Sequence, residues 1–176
     1  MLALLMTGGA SHREAWTQVY GVPVNSTLRV LQPLTIPVRD TQVYIQEGAL
    51  QYPGGPFSGR DLYYPFCYME LADISAAPQT IEPDTFTVTA VYQDETDIIA
   101  EAAPIRVAGP LLASDGGAVR MIYLMTVMHL HSDRQPQVKK LVCSGGFDLE
   151  SSAKLPTVKD IEAALGNVAK LDIHRP

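Results

Sequence analysis

Two cysteines and one His-x-His are the residues of this 176-residue chain whose types and spacing could do chemistry. Cys67 lies in Tyr64-Pro-Phe-Cys-Tyr68 and Cys143 in Leu141-Val-Cys-Ser-Gly145, both in apolar surroundings of strand character. An even cysteine count suits an exported protein that oxidises its thiols, and the expectation is a Cys67–Cys143 disulfide. The competing reading is a pair of separate buried thiols acting as small hydrophobes. A catalytic thiol needs an activating base or a helix N-terminus, and neither lies nearby in sequence.

His129-Leu130-His131 offers a second chemistry. In a strand, residues two apart face the same way, so both imidazoles can reach one metal ion. A third ligand would have to come from His12, Glu70, Asp133 or His174. The β-barrel pattern that carries His-x-His on a strand, that of the cupins, also wants a glycine six residues upstream. Tyr123 stands there, and Gln135 and Pro136 stand where its glutamate would follow. A metal-dependent enzyme built on His129 and His131 is therefore kept as the alternative to a non-enzymatic protein, and no cofactor is expected.

Other chemistries lack their residues. Gly54-Gly-Pro-Phe-Ser-Gly-Arg60 has no Lys-Ser/Thr and opens no helix, so it reads as a hairpin loop and not as a phosphate cradle. Neither Ser58 nor Ser144 sits in a Gly-x-Ser-x-Gly elbow. Asp94, Glu95, Asp97 and Glu101 lack the order of a calcium loop and read as a solvated acidic face. Tyr63, Tyr64, Phe66 and Tyr68 form an aromatic cluster that suits either a contact surface or a half-covered core strand. The net charge of −6 and scattered basic residues exclude a nucleic-acid binder, which needs a basic stripe to displace counterions. No run of 18 apolar residues exists to form a transmembrane helix.

The elements that must position these residues are mainly strands. Thr27 to Leu31 and Gln42 to Gln46 alternate polar and apolar residues, as does Thr85 to Tyr92, and Leu62 to Leu71 also reads as a strand. Pro65 cannot donate to a ladder, which predicts an edge strand or a bulge there. Val119 to His131 is apolar on both faces and reads as a core strand, with Val138 to Cys143 returning as its hairpin partner after Ser132-Asp-Arg-Gln-Pro136. Asp94 to Gly117 reads as an irregular excursion with a short helical piece. After Pro156 the period changes: Thr157 caps a helix with Asp160 three residues on, and Val158, Ile161, Leu165 and Val168 recur at helical spacing. Gly166 either ends this helix or weakens it. The expected architecture is mainly β, an antiparallel sandwich or partly closed barrel over residues 21–150, with one helix in 151–176 packed on it.

Met1-Leu-Ala-Leu-Leu-Met-Thr-Gly-Gly-Ala10 reads as the tail of an export signal, with Gly8 and Ala10 at the minus-three and minus-one places. Leu2 to Met6 is shorter than the roughly 7 to 15 residues of a signal core, so further residues with a Lys or Arg are expected upstream. Residues 1–20 are thus a signal remnant and N-terminal tail. Leu5-Met6-Thr7-Gly8 is followed by Gly9 where a lipoprotein would carry its lipidated cysteine. Together with Tyr64-Pro-Phe-Cys67, Ile81-Glu-Pro-Asp-Thr-Phe86 and the terminal Leu-Pro-Thr-Val-Lys-Asp-Ile-Glu-Ala-Ala-Leu-Gly segment, this leader resembles small uncharacterised, lipoprotein-like envelope proteins of Gram-negative bacteria. The resemblance implies a periplasmic or envelope-associated protein and transfers no functional residue. The expected role is binding or structural, toward an envelope protein or a small ligand, with a ligand carrier inside a hollow barrel as a further alternative.

Overall fold

The computed structural model describes residues 21–52, 59–99 and 120–174. The signal-like leader, His12, most of the glycine-rich loop and the segment 100–119 lie outside the described residues. An antiparallel sheet curls into a half-barrel with one helix near the C-terminus. Its strands are β1 (Thr27–Val30), β3 (Gln42–Gln46), β4 (Ala49–Gln51), β5 (Phe66–Leu71), β7 (Thr85–Ile99), β8 (Arg120–His131), β9 (Val138–Ser144), β10 (Asp148–Leu149) and β11 (Ala169–Asp172). They run in the order β11-β1-β7-β8-β9-β5-β3-β4, and β10 pairs with β8 beyond the end of β9. A separate ribbon joins β2 (Leu34–Ile36) to β6 (Gln79–Ile81). No helix among the described residues is long and apolar enough to cross a membrane, which leaves strand-built spans unaddressed.

Period-2 patterning divides the sheet into two faces of different chemistry. One face sends Leu28, Val43, Ile45, Cys67, Met69, Phe86, Val88, Met128, Leu130, Leu141 and Cys143 into the main core, closed by Leu34, Ile36 and Ile81 of the ribbon. Helix α1 (Val158–Leu165) lies on the same core and contacts β3, β5 and β11. Ile161, Ala164 and Leu165 point inward at the three- and four-residue spacing of one helix face. So short a helix is marginal alone, and its order rests on that burial.

Both ends of α1 are locally specified. Thr157 Oγ1 accepts from the Asp160 backbone N–H, and the Asp160 carboxylate accepts from the Thr157 N–H, a complete capping box. At the other end Gly166 has φ +51°, and the two-residue turn Glu47-Gly48, with φ positive at both, packs against it. The Gly48 N–H donates to Ala164 O at 3.0 Å, satisfying one carbonyl of the last helical turn. A Cβ on Gly166 would lie 2.5 Å from Gly48 Cα, so this docking requires glycine. The β3–β4 hairpin and α1 are thereby locked together.

Several expectations shift. Pro65 stands just before β5, which is interior between β9 and β3 and not an edge, so its missing N–H costs the ladder nothing. Asp94 to Ile99 is regular strand, continuing β7 opposite β8 from Asp94↔Met125 to Ile99↔Arg120. Polar sequence hid it because strand here is imposed by the long partner. Val168 lies past the helix, and Ala169–Asp172 adds β11 to β1, a strand too short to register by periodicity. The bulge between Val88 and Ala90 changes the face that each residue of β7 presents.

Candidate functional site

The second face of the sheet carries the rings. Register places Tyr44 opposite Tyr68, Tyr68 opposite Val142, Val142 opposite Val127, and Val127 opposite Tyr92. A neighbouring row runs Gln42, Glu70, Lys140, His129. Met125, Val127 and Val142 are buried there beneath Tyr68 and Tyr123, forming a small second apolar cluster. Neighbouring ring centroids connect Tyr68 to Tyr44 at 5.2 Å, Tyr44 to Phe66 at 6.4 Å, Phe66 to Tyr123 at 5.8 Å, Tyr123 to Phe147 at 4.8 Å and Phe147 to Tyr63 at 6.5 Å. All are tilted or edge-on, the arrangement that ring quadrupoles favour.

Arg60 lies across this ladder. Its guanidinium carbon is 4.0 Å from the Tyr44 ring centroid and 5.0 Å from that of Phe66, within cation–π range of both. Gln46 puts it there. The buried Gln46 side-chain amide donates to Asp61 O and its Oε1 accepts from Asp61 N–H, both at 2.8 Å, so the residue after Arg60 is clamped to β3. Arg60 Nε is buried without a hydrogen-bond partner, and among the described residues no carboxylate forms an ion pair with this side chain. In the same loop Tyr63 and Tyr64 are 67 % and 59 % exposed.

Polar groups at the rim are paired among themselves. Gln42 Nε2 donates to Glu70 at 2.8 Å, Lys140 Nζ meets the other Glu70 oxygen at 3.1 Å, and the Tyr44 hydroxyl donates to Gln42 Oε1. Burial pushes the Tyr68 phenol well above its ordinary range, and the Glu70 charge adds to it. Burial also raises Tyr44, against the opposing pull of Arg60. Both phenols are therefore harder to ionise than an ordinary tyrosine.

The sequence-derived candidates fall in two places. Cys67 and Cys143 are direct cross-strand partners of β5 and β9, with Cα atoms 4.0 Å apart, and are joined by a disulfide on the core face. This bond staples two interior strands and is closed to solvent, since the cysteines are 0 % and 1 % exposed. His129 and His131 share one face of β8, as their spacing requires, but they go to different partners: His129 stacks near Tyr92 at 5.5 Å and His131 Nε2 meets Asp133 at 3.1 Å. Glu70 is engaged by Lys140 and Gln42, and the His174 backbone N–H is tied to Ser26. Among the described residues no three His, Cys, Asp or Glu side chains gather to hold a metal ion.

A second polar cluster closes the β8–β9 turn. Asp84 accepts from Ser132 Oγ at 2.7 Å, Gln135 Nε2 at 3.2 Å, Arg134 Nη1 at 3.3 Å and the Thr85 N–H at 2.8 Å. Burial alone would raise its carboxyl, but these hydrogen bonds and the arginine charge outweigh that and hold it below the ordinary range. Gln135 also pins Glu82, accepting from its N–H and donating to its O. Ser132 and Gln135 are buried while Arg134 stays exposed, and the cluster fixes the β6–β7 connection against the β8–β9 hairpin. Ser132 donates to Asp84 and not to a histidine.

Of the residues that build the ring face, sequence patterning singled out Tyr63, Tyr64, Phe66 and Tyr68. It missed Tyr44, Arg60, Tyr123 and Phe147, which are brought in by strand register and by the Gln46 clamp. No family model, curated protein or solved structure matches this chain.

Proposed function

We propose that this is an exported, non-enzymatic β-domain protein of the bacterial envelope that acts by binding, through the ring face of its half-barrel. The observation that carries the reading is Arg60 lying on Tyr44 and Phe66 with no described carboxylate to match it, beside the exposed Tyr63 and Tyr64. Arginine and tyrosine on a rigid scaffold are the residues that concentrate binding energy, because they offer large contact area with few rotors and strong directional donors. A disulfide buried between interior strands supports an oxidising compartment, where such bonds form and persist.

Co-sedimentation with separated envelope components (peptidoglycan, outer-membrane vesicles and inner-membrane vesicles) tests this. The protein should pellet with one of them, and Tyr63→Ala/Tyr64→Ala, at exposed positions that bury little, should abolish pelleting while leaving the circular dichroism spectrum unchanged. Equal pelleting of the variant, no pelleting with any component, or recovery of the native protein from cytosol alone would overturn it.

A further inference from the structure

Resting on that reading, we infer that the ring face takes an acidic saccharide, with Arg60 receiving the sugar carboxylate and the tyrosines receiving its C–H faces. Three features of the face select this chemistry. Arg60 is a planar, permanently charged fork whose guanidinium already rests against Tyr44 and Phe66, so less side-chain entropy remains to be lost on pairing with a planar carboxylate. The side chain as a whole is half-buried, and among the described residues no carboxylate forms an ion pair with it. The rings around it run from Tyr68 and Tyr44 to Tyr123, Phe147 and Tyr63, with the buried Phe66 beneath linking them. Half-exposed tyrosines, apolar in body and polar at the tip, suit a ligand that alternates C–H patches with hydroxyls.

The other ligand classes fit less well. β3, β5 and β9 are flanked on both sides within the sheet, so an extended peptide finds no open ladder beneath the stripe and would have only side chains to hold. A polyphosphate or nucleic acid would meet a single arginine among the described residues of this face, on a chain of net charge −6, a field that repels dense negative charge. The spaced carboxylates of an acidic sugar can put one anion at a time on Arg60, unlike the adjacent charges of a polyphosphate.

Trigalacturonate is the probe, with maltotriose as its uncharged counterpart, followed by calorimetry and by amide shifts in two-dimensional NMR of the intact, oxidised protein. Trigalacturonate should bind saturably, shift residues of β3, β5 and the 59–64 loop, and exceed maltotriose in affinity. Arg60→Ala should weaken it by about tenfold or more, the scale of one charge-assisted pair. Arg60→Lys keeps the charge and much of the stem packing but loses the fork, and should still weaken binding several-fold, so the inference does not hang on the alanine variant folding. Equal binding of both sugars that ignores Arg60→Ala and Arg60→Lys would overturn the acidic-sugar assignment while leaving a binding face. No saccharide binding, with tyrosine-dependent pelleting intact, would overturn the inference and leave the proposed function standing. Loss of both would overturn both.

Discussion

Removing the Cys67–Cys143 bond is the sharpest test of how this sheet is held. The bond joins residues 76 apart in sequence and directly opposite in register on β5 and β9. Closing a loop of that length in the unfolded chain removes entropy worth about 4.5 kcal/mol by the loop-closure relation. A domain of ordinary stability holds only about 5–15 kcal/mol in all, so the bond accounts for a large share. Cys67→Ala/Cys143→Ala keeps the site apolar and should fold, because the flanking Ile45, Met69 and Leu141 still bury on the same face. Urea unfolding of oxidised native protein and of the double variant, followed by tyrosine fluorescence and circular dichroism, should show the midpoint fall by about 2 M if the slope is near 2 kcal/mol/M. Reduced native protein should unfold close to the variant. A midpoint shift under about 0.5 M at unchanged slope would refute the loop-entropy account, and an increased slope would show that the oxidised unfolded state had been the more compact one.

Truncating Ile161 to Ala, at a site with no exposure, should cost about 2–5 kcal/mol in the same urea assay, and a loss under about 1 kcal/mol would mean that α1 does not seat on the core as described. Gly166→Ala should destabilise far more than an exposed helix-end glycine would, since its Cβ meets the Gly48 backbone; unchanged stability would show that the turn can move away. Asp84→Asn should lower stability at neutral pH by about 1.5–3 kcal/mol, the worth of hydrogen bonds to a charged group. Because the folded carboxyl is held below its unfolded value of about 3.9, that contribution is present above this pH and is lost as pH falls through the lower folded value, so native and variant curves should converge in acid. Persistence of the full difference at about pH 2 would sink this account. In a spectrophotometric titration Tyr68 and Tyr44 should ionise above the ordinary tyrosine value of about 10, and their full ionisation near about pH 10 would contradict their burial.

Short-range physics made much of the fold readable. The alternation in Gln42–Gln46, the Thr157–Asp160 capping box and the helical spacing of Ile161 and Leu165 each depend on residues a few positions apart and are where the sequence put them, while the strand read over Leu62 to Leu71 begins only at Phe66. The disulfide was equally accessible, since two cysteines allow a single pairing once both lie in strands. Register and sheet order were beyond that reach, because they depend on which distant strand supplies the partner. Pro65 shows the difference: its lost donor is a local fact, yet only the pairing of β5 with β9 from Phe66 onward reveals that the ladder begins one residue later. Asp94–Ile99 is strand because β8 runs opposite it, against its own polar composition. The ring face is the fullest case. Tyr63 to Tyr68 is aromatic in sequence, but Arg60 reaches Tyr44 and Phe66 only because Gln46, on a strand fourteen residues earlier by count from Arg60, grips the backbone of Asp61. Spacing along the chain carries information about neighbours on one element. A cation seated on rings from two strands is set by the cross-strand register, which the hydrophobic core on the opposite face fixes.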